Sequence, residues 1–215
     1  MMVNEIQDHL MQTIIPFWKN LRDNEYGGYY GYMTYDLAVD KKAVKGCILN
    51  SRIMWFFSNA YTLLKDESLL DEAKHAYEFL KNCCLDRVNG GIFWSIQYDG
   101  KPEDTTKHTY NQAFCIYALS SYYDASGDEE ALKLAKELQL LIESKCTDEV
   151  GYLEAFTKDF QPESNEKLSE NGVLAEKTMN TLLHVFEAYT EFYRVSHDEE
   201  VGERLKWIMD VFADK

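Results

Sequence analysis

Basic charge, proline and metal-ligand patterns are scarce in this 215-residue chain, and each scarcity removes a class of function. Lys and Arg number 22 against 37 Asp and Glu, a formal net charge of -15. Nucleic acid and anionic membrane surfaces need a concentrated basic patch, which is missing, so neither is an expected partner. No apolar run approaches the length of about 18 residues that a membrane-spanning helix needs, and the opening MMVNEIQDHLMQ lacks a basic segment followed by an apolar one. Five cysteines, with Cys83 and Cys84 adjacent, form no CxxC pair and no cluster with histidine. That usage fits reduced thiols in a cytoplasmic setting. What remains is 46% hydrophobic, enough for one sizeable core or two small ones.

The 3 prolines and 11 glycines fall mostly between long stretches of helical periodicity. Helices are expected at 3–20, 43–64, 67–84, 108–126, 129–146, 172–195 and 199–213. Between them lie EYGGYYGYMTY, NGGIFWSIQYDG and VGYLEAF, read as short glycine-aromatic hairpins or turns because Gly-Gly permits the positive φ of a tight reversal. The punctuation repeats. At one offset of 62, Asp66 matches Asp128, Glu67 Glu129, Leu70 Leu132, Ala73 Ala135, Cys84 Cys146 and Asp86 Asp148, and the pattern restarts at Asp198. Such self-similarity marks stacked supersecondary units.

The two helices of each unit differ in charge. From Gly46 to Leu64 the only charged residue is Arg52, and 109–123 has none, whereas 67–81 carries six. An uncharged helix is covered on most sides and a charged one has a wet face, so an inner and an outer layer are expected, with 47–64, 109–126 and 172–195 adjacent and parallel. Counting back 14 residues from Asp66, Asp128 and Asp198 gives Arg52, Phe114 and His184, and counting back 18 gives Ile48, Tyr110 and Asn180. Individually, Arg52 fits a snorkelling side chain, Tyr110 a core cap with a wet hydroxyl, and His184 a core histidine, a metal ligand or a pocket wall. Their coincidence in two adjacent layers points to a pocket. Metal is disfavoured, because Asn180 is a poor partner for His184 and no second histidine shares the layer.

IIPFWKNLRDNEYGGYYGY, LNSRIMWFFSNAY, KHTYNQAFCIYALSSYY and LSENGVLAEKTMNTLLHVFEAYTEFY together resemble the N-acylglucosamine 2-epimerase family over essentially the whole chain. The resemblance implies an all-α (α/α)6 barrel with a sugar site at the mouth of its inner ring. It implies cofactor-free epimerisation at C2 of the reducing-end glucose of cellobiose or related β-1,4-linked disaccharides, through ring opening, C2 proton removal and a cis-enediolate. It assigns Arg52 to the enediolate, Tyr110, Phe114 and Asn180 to sugar binding, and His184 to a supporting catalytic role.

The expected seven helices are fewer than the twelve of that barrel, so 1–215 is read as the N-terminal portion of one catalytic domain, an incomplete ring. The resemblance places the acid/base histidines in the other half. His9, His75, His108 and His197 fall on outer helices, a helix entrance or a turn. An interrupted ring would expose Trp207, Ile208, Val211 and Phe212 and favour self-association. Besides the epimerase and its mannose or N-acetylglucosamine variants, two readings stand. A glycoside hydrolase on the same barrel needs two carboxylates across the pocket, for which Glu176 and Glu187 are the nearest inner-helix candidates. A helical-repeat interaction module would have no use for Arg52.

Overall fold

The computed structural model describes residues 2–164 and 175–214. Helix α1 (Met2–His9) widens into a π-helical turn at Leu10–Ile14 and continues as α2 (Ile15–Lys19), together the first expected helix. Three helix pairs follow: α3 (Cys47–Leu64) with α4 (Glu67–Phe79), α5 (Thr109–Ser126) with α6 (Glu129–Lys145), and α7 (Met179–Ser196) with α8 (Glu199–Asp214). Helix α4 also ends in a π-helical turn, Leu80–Cys84.

Each pair turns on the same device. Lys65, Gly127 and His197 end the first helix in the left-handed region, at φ 56°, 72° and 53°, with their N–H groups on the carbonyls of Tyr61, Tyr123 and Tyr193. The next residue is Asp66, Asp128 or Asp198, whose carboxylate takes N–H groups of Ser68, Glu130, and Glu200 and Val201. A left-handed C-cap followed at once by an aspartate N-cap satisfies orphan groups of both helices in two residues. This is the physical content of the sequence repeat.

Helix α5 packs between α3 and α7. Ser51 meets Cys115 at 3.0 Å and Trp55 stacks on Tyr117 at 5.7 Å, while Ser121 meets Glu191 at 2.9 Å and Asp124 meets Arg194 at 2.8 Å. The contacts advance in one direction along both partners, so the three inner helices run parallel as an arc and do not form a closed ring. Around α5 residues are buried on nearly every side, whereas α4 and α6 bury one stripe. That is the two-layer arrangement of the (α/α)6 class. Among the described residues no helix is long and apolar enough to cross a membrane.

Short strands join the pairs: β1 (Lys45–Gly46), β2 (Ser95–Ile96) and β3 (Pro102–Asp104) form one antiparallel sheet, and β4 (Lys107–His108) pairs with β5 (Ala155–Phe156). The hairpins carry a second repeat. Asp23 accepts from the Lys45 ammonium at 2.6 Å and Asp86 from Lys107 at 3.0 Å, and each lysine also donates to a glycine carbonyl, Gly27 or Gly90. Both pairs are fully buried, whereas the corresponding Asp148–Lys177 pair, at 2.7 Å, is partly wet. Gly28, at φ 66°, has no room for a side chain, since a Cβ there would lie 2.7 Å from both the Asn50 amide and the Phe79 ring. Asn50 and Gln112 then accept the N–H groups of Tyr29 and Ile92, tying each hairpin to the inner helix beneath it.

Three expectations need correction. The second helix starts at Cys47 rather than 43, because Lys45 and Gly46 are claimed by pairing with β2. The expected start at 172 lies outside the described residues. Residues 175–178 are not helical, so α7 begins at Met179, where Thr178 caps it through the Thr181 N–H. Lastly, Ile208 is fully buried and Trp207 is half-buried, with the Arg204 guanidinium 4.2 Å from its ring and Tyr152 at 5.8 Å. The apolar stripe of α8 folds back onto α7 and the 150s hairpin, which leaves Phe212, 40% exposed against Phe186, as the uncovered residue of that group.

Candidate active site

Parallel inner helices with matched caps set residues one repeat apart side by side. Arg52 of α3 lies beside α5, where its Nη2 donates to the Tyr110 hydroxyl at 3.1 Å and its guanidinium carbon sits 4.3 Å from the centre of the Phe114 ring. His184 of α7 closes the group from the other side. Its ring is 4.8 Å from Tyr110, edge-on, and 4.8 Å from Phe114. Four of the five sequence-expected residues therefore meet. The fifth, Asn180, is exposed one turn before His184 and lies outside the described lining of the cleft.

That cleft holds about 490 Å³ and is lined by Leu49, Arg52, Trp55, Phe114, His184 and Glu187 among others. Arg52 is the one permanent cation among its described lining residues. The guanidinium is held by one aromatic face and one phenol oxygen, so most of its five N–H donors are left for a ligand. Glu187 accepts from or shares a proton with His184 Nδ1 at 2.6 Å across one turn of α7. Burial pushes the Tyr117 phenol above its ordinary value, and the nearby Glu191 and Glu187 carboxylates add to that.

Sequence reasoning missed a third layer. Counting back 11 residues from Asp66, Asp128 and Asp198 gives Trp55, Tyr117 and Glu187, all of which line the cleft. The same count that isolated Arg52 would have found them. Two of the three are aromatic, and aromatic residues in an inner helix read as core. Glu187, one of the two carboxylates a hydrolase reading needs, faces an imidazole, and it is the one carboxylate among the described lining residues. Glu176 lies before α7, not on it, with its carbonyl receiving the Glu154 N–H.

A second cleft of about 580 Å³, bordered by Glu154, Phe156, Pro162 and Glu176, sits just before α7 and includes none of the residues that line the Arg52 cleft. Glu154 is buried there, which raises its pKa, while donors on Thr178 and Thr181 partly offset the rise. Its role is to anchor the first turn of the helix that presents His184. The remaining histidines stand apart from the Arg52 cleft. His75 contacts the Gly28 carbonyl at 2.9 Å, His108 lies under Trp94 at 4.5 Å, His197 is a helix cap, and His9 is exposed on α1.

The N-acylglucosamine 2-epimerase (GlcNAc 2-epimerase) family model matches residues 28–215. A cellobiose 2-epimerase from Eubacterium cellulosolvens is 62% identical over 190 residues, covering 88% of this chain and 47% of that protein. One from Ruminococcus albus is 56% identical over 214 residues, covering 100% of this chain and 55% of its own. The crystal structure of a sugar epimerase from a ruminal bacterium superposes with a TM-score of 0.97 at 56% identity, over 100% of this chain and 55% of that one. The chain thus spans about half the length of the relatives it matches. With the arc of inner helices and the arginine-aromatic-histidine cleft in place, these likenesses assign it: the chain belongs to the N-acylglucosamine 2-epimerase family.

Proposed function

We propose that this chain supplies the sugar-contacting half of a 2-epimerase acting on the reducing-end glucose of cellobiose and related β-1,4-linked disaccharides. The observation that carries this reading is the meeting of Arg52, Tyr110, Phe114 and His184 at a cleft that Trp18, Trp55, Phe56 and Tyr117 also line. Aromatic rings suit the C–H faces of a sugar, and a fixed cation suits the oxygens on which charge develops.

Epimerisation at C2 requires an open-chain aldose, loss of the C2 proton to a base, a cis-enediolate, and return of a proton to the opposite face. The cis-enediolate puts O1 and O2 side by side. A guanidinium already oriented by Tyr110 and Phe114 can donate to both at once, at no further cost in ordering. On this reading His184 exchanges a hydrogen bond with a neighbouring hydroxyl, and Asn180, one turn earlier on α7, takes a more distant one. Proton removal from carbon needs a base within about 3 Å, with a pKa near the working pH. On this reading that base and its conjugate acid lie outside these 215 residues, so turnover requires a complete ring, without cofactor or metal.

The test joins three measurements. The isolated chain should bind cellobiose but convert it slowly or not at all. A complete enzyme carrying these residues should incorporate deuterium from D2O at C2 of the reducing-end sugar and keep its activity in EDTA. In that enzyme Arg52→Ala should lower kcat by roughly 100-fold, as for loss of an oxyanion donor. Retention of the C2 hydrogen would overturn the enediolate route. Efficient epimerisation by these residues alone would place the base among them, with His184 the first group to examine.

A further inference from the structure

We infer that Glu187 is a positioning residue that locks His184 in the Nδ1–H tautomer, so that its Nε2 meets the sugar as a hydrogen-bond acceptor. The inference concerns an atom that the family likeness does not address. It rests on the reading of the cleft as a sugar site only for what the tautomer is used for.

The contact between His184 Nδ1 and Glu187 Oε2 is 2.6 Å, the length of a charge-assisted hydrogen bond. An ionised carboxylate can only accept, so the shared proton resides on Nδ1, and in the neutral ring that leaves Nε2 with a lone pair. The ring cannot swing away to exchange its nitrogens. Tyr110 and Phe114 hold it at 4.8 Å each, on α5, while Glu187 holds it from its own helix one turn on. Among the described residues Nε2 makes no hydrogen bond, and His184 lines the cleft. The layer that contains Glu187 is filled on the other two helices by Trp55 and Tyr117, so the carboxylate occurs only where a histidine stands beside it.

The consequence is a division of roles that orients the substrate. Arg52 can only donate, and therefore takes the carbonyl or enediolate oxygens. His184 in this tautomer can only accept through Nε2, and therefore takes a hydroxyl, which has a proton to give. An open-chain aldose satisfies both at once only with its C1–C2 end toward α3 and an adjacent hydroxyl toward α7. With the tautomer reversed, both groups would donate and that distinction would be lost.

Long-range 1H–15N correlation spectra of the full 215-residue chain, at about pH 8.5 and so well above the ordinary imidazole range, read the tautomer directly once His184 is identified through His184→Gln. The expected spectrum has a protonated Nδ1 and a bare Nε2. Glu187→Ala should convert His184 to the Nε2–H form that prevails in water. Glu187→Gln, which preserves shape and whose amide can either donate or accept, should give a mixture. Loss of one oriented hydrogen bond should weaken cellobiose binding by about 2- to 10-fold in both variants. An Nε2–H tautomer in the unaltered chain, or one unmoved by both substitutions, overturns the inference. If Glu187 governs the tautomer but the unaltered chain does not bind cellobiose, the sugar reading fails and the lock stands. If cellobiose binds and the tautomer ignores Glu187, the lock alone fails.

Discussion

At Asp86 burial and hydrogen bonding pull in opposite directions, and four donors decide the outcome. Burial alone would raise the carboxyl, but the Asn89 side chain, the Val88 and Asn89 N–H groups and the Lys107 ammonium bring it down from 3.8 to about 2. A carboxyl depressed in the folded state adds stability above its unfolded value and loses it as pH falls through the folded one. The window for Asp86 therefore runs from about pH 4 down to about 2, and its own share is about 2 kcal/mol. Lys107 is pushed down by its burial, which Asp86 offsets only in part, so the pair as a whole contributes less. Removing one partner is a different matter. Asp86→Asn strands a buried ammonium and should cost about 3 to 5 kcal/mol, whereas Asp148→Asn, in the partly wet pair, should cost under about 1 kcal/mol. Urea unfolding midpoints of the two variants test the contrast, and equal losses would remove burial as its cause. The Lys–Asp pairs were not legible in the sequence, since Lys45 and Lys107 lie 22 and 21 residues from their partners and read as ordinary surface charges.

The helix junctions were largely legible, because capping is local chemistry. Asp66, Asp128 and Asp198 stood out by spacing alone. The preceding left-handed residue did not, since glycine occupies it only at Gly127 while Lys65 and His197 carry the same strain. A Cβ at Gly127 meets no atom within 4 Å, so Gly127→Ala should cost about 1 kcal/mol through backbone conformation alone. Lys65→Gly should recover a similar amount. Asp128→Ala should cost about 1 kcal/mol by uncapping α6. Thermal unfolding of the three variants should therefore move in two directions. A stabilised Gly127→Ala protein would contradict the common turn geometry. The missed boundaries at Cys47 and Met179 have one origin: partners remote in sequence fix the residue before each helix, the β2 pairing of Lys45 and Gly46 in one case and the hold of the buried Glu154 on Thr178 in the other.

At the scale of the whole molecule, net charge opposes exposed apolar surface. One face of α7 carries Met179, Leu183 and Tyr193, exposed by 67%, 38% and 41%, beside the half-buried Phe186 and the exposed Phe212. On α3, Leu63 is 69% exposed. Apolar stripes of this kind favour association, while a charge of -15 resists it through repulsion that salt screens within about 8 Å at physiological strength. Sedimentation should therefore show species heavier than 25.1 kDa that increase between low and physiological salt. A monomer under both conditions would show that these faces are too small or too scattered to associate.

The sequence by itself determined the helical class, the repeat, the two layers and the register of Arg52, Tyr110, Phe114 and His184. Each of these follows from periodicity along one chain, and a helix converts sequence spacing into position on a face without reference to anything else. Tertiary structure alone decided which charges are buried together in the hairpins and that Trp207 and Ile208 are covered. It also decided that Trp55 and Tyr117 line a cleft instead of filling a core. Those outcomes depend on how far one element leans on another. That distance is set by the summed shapes of side chains remote in sequence, and no local pattern encodes it.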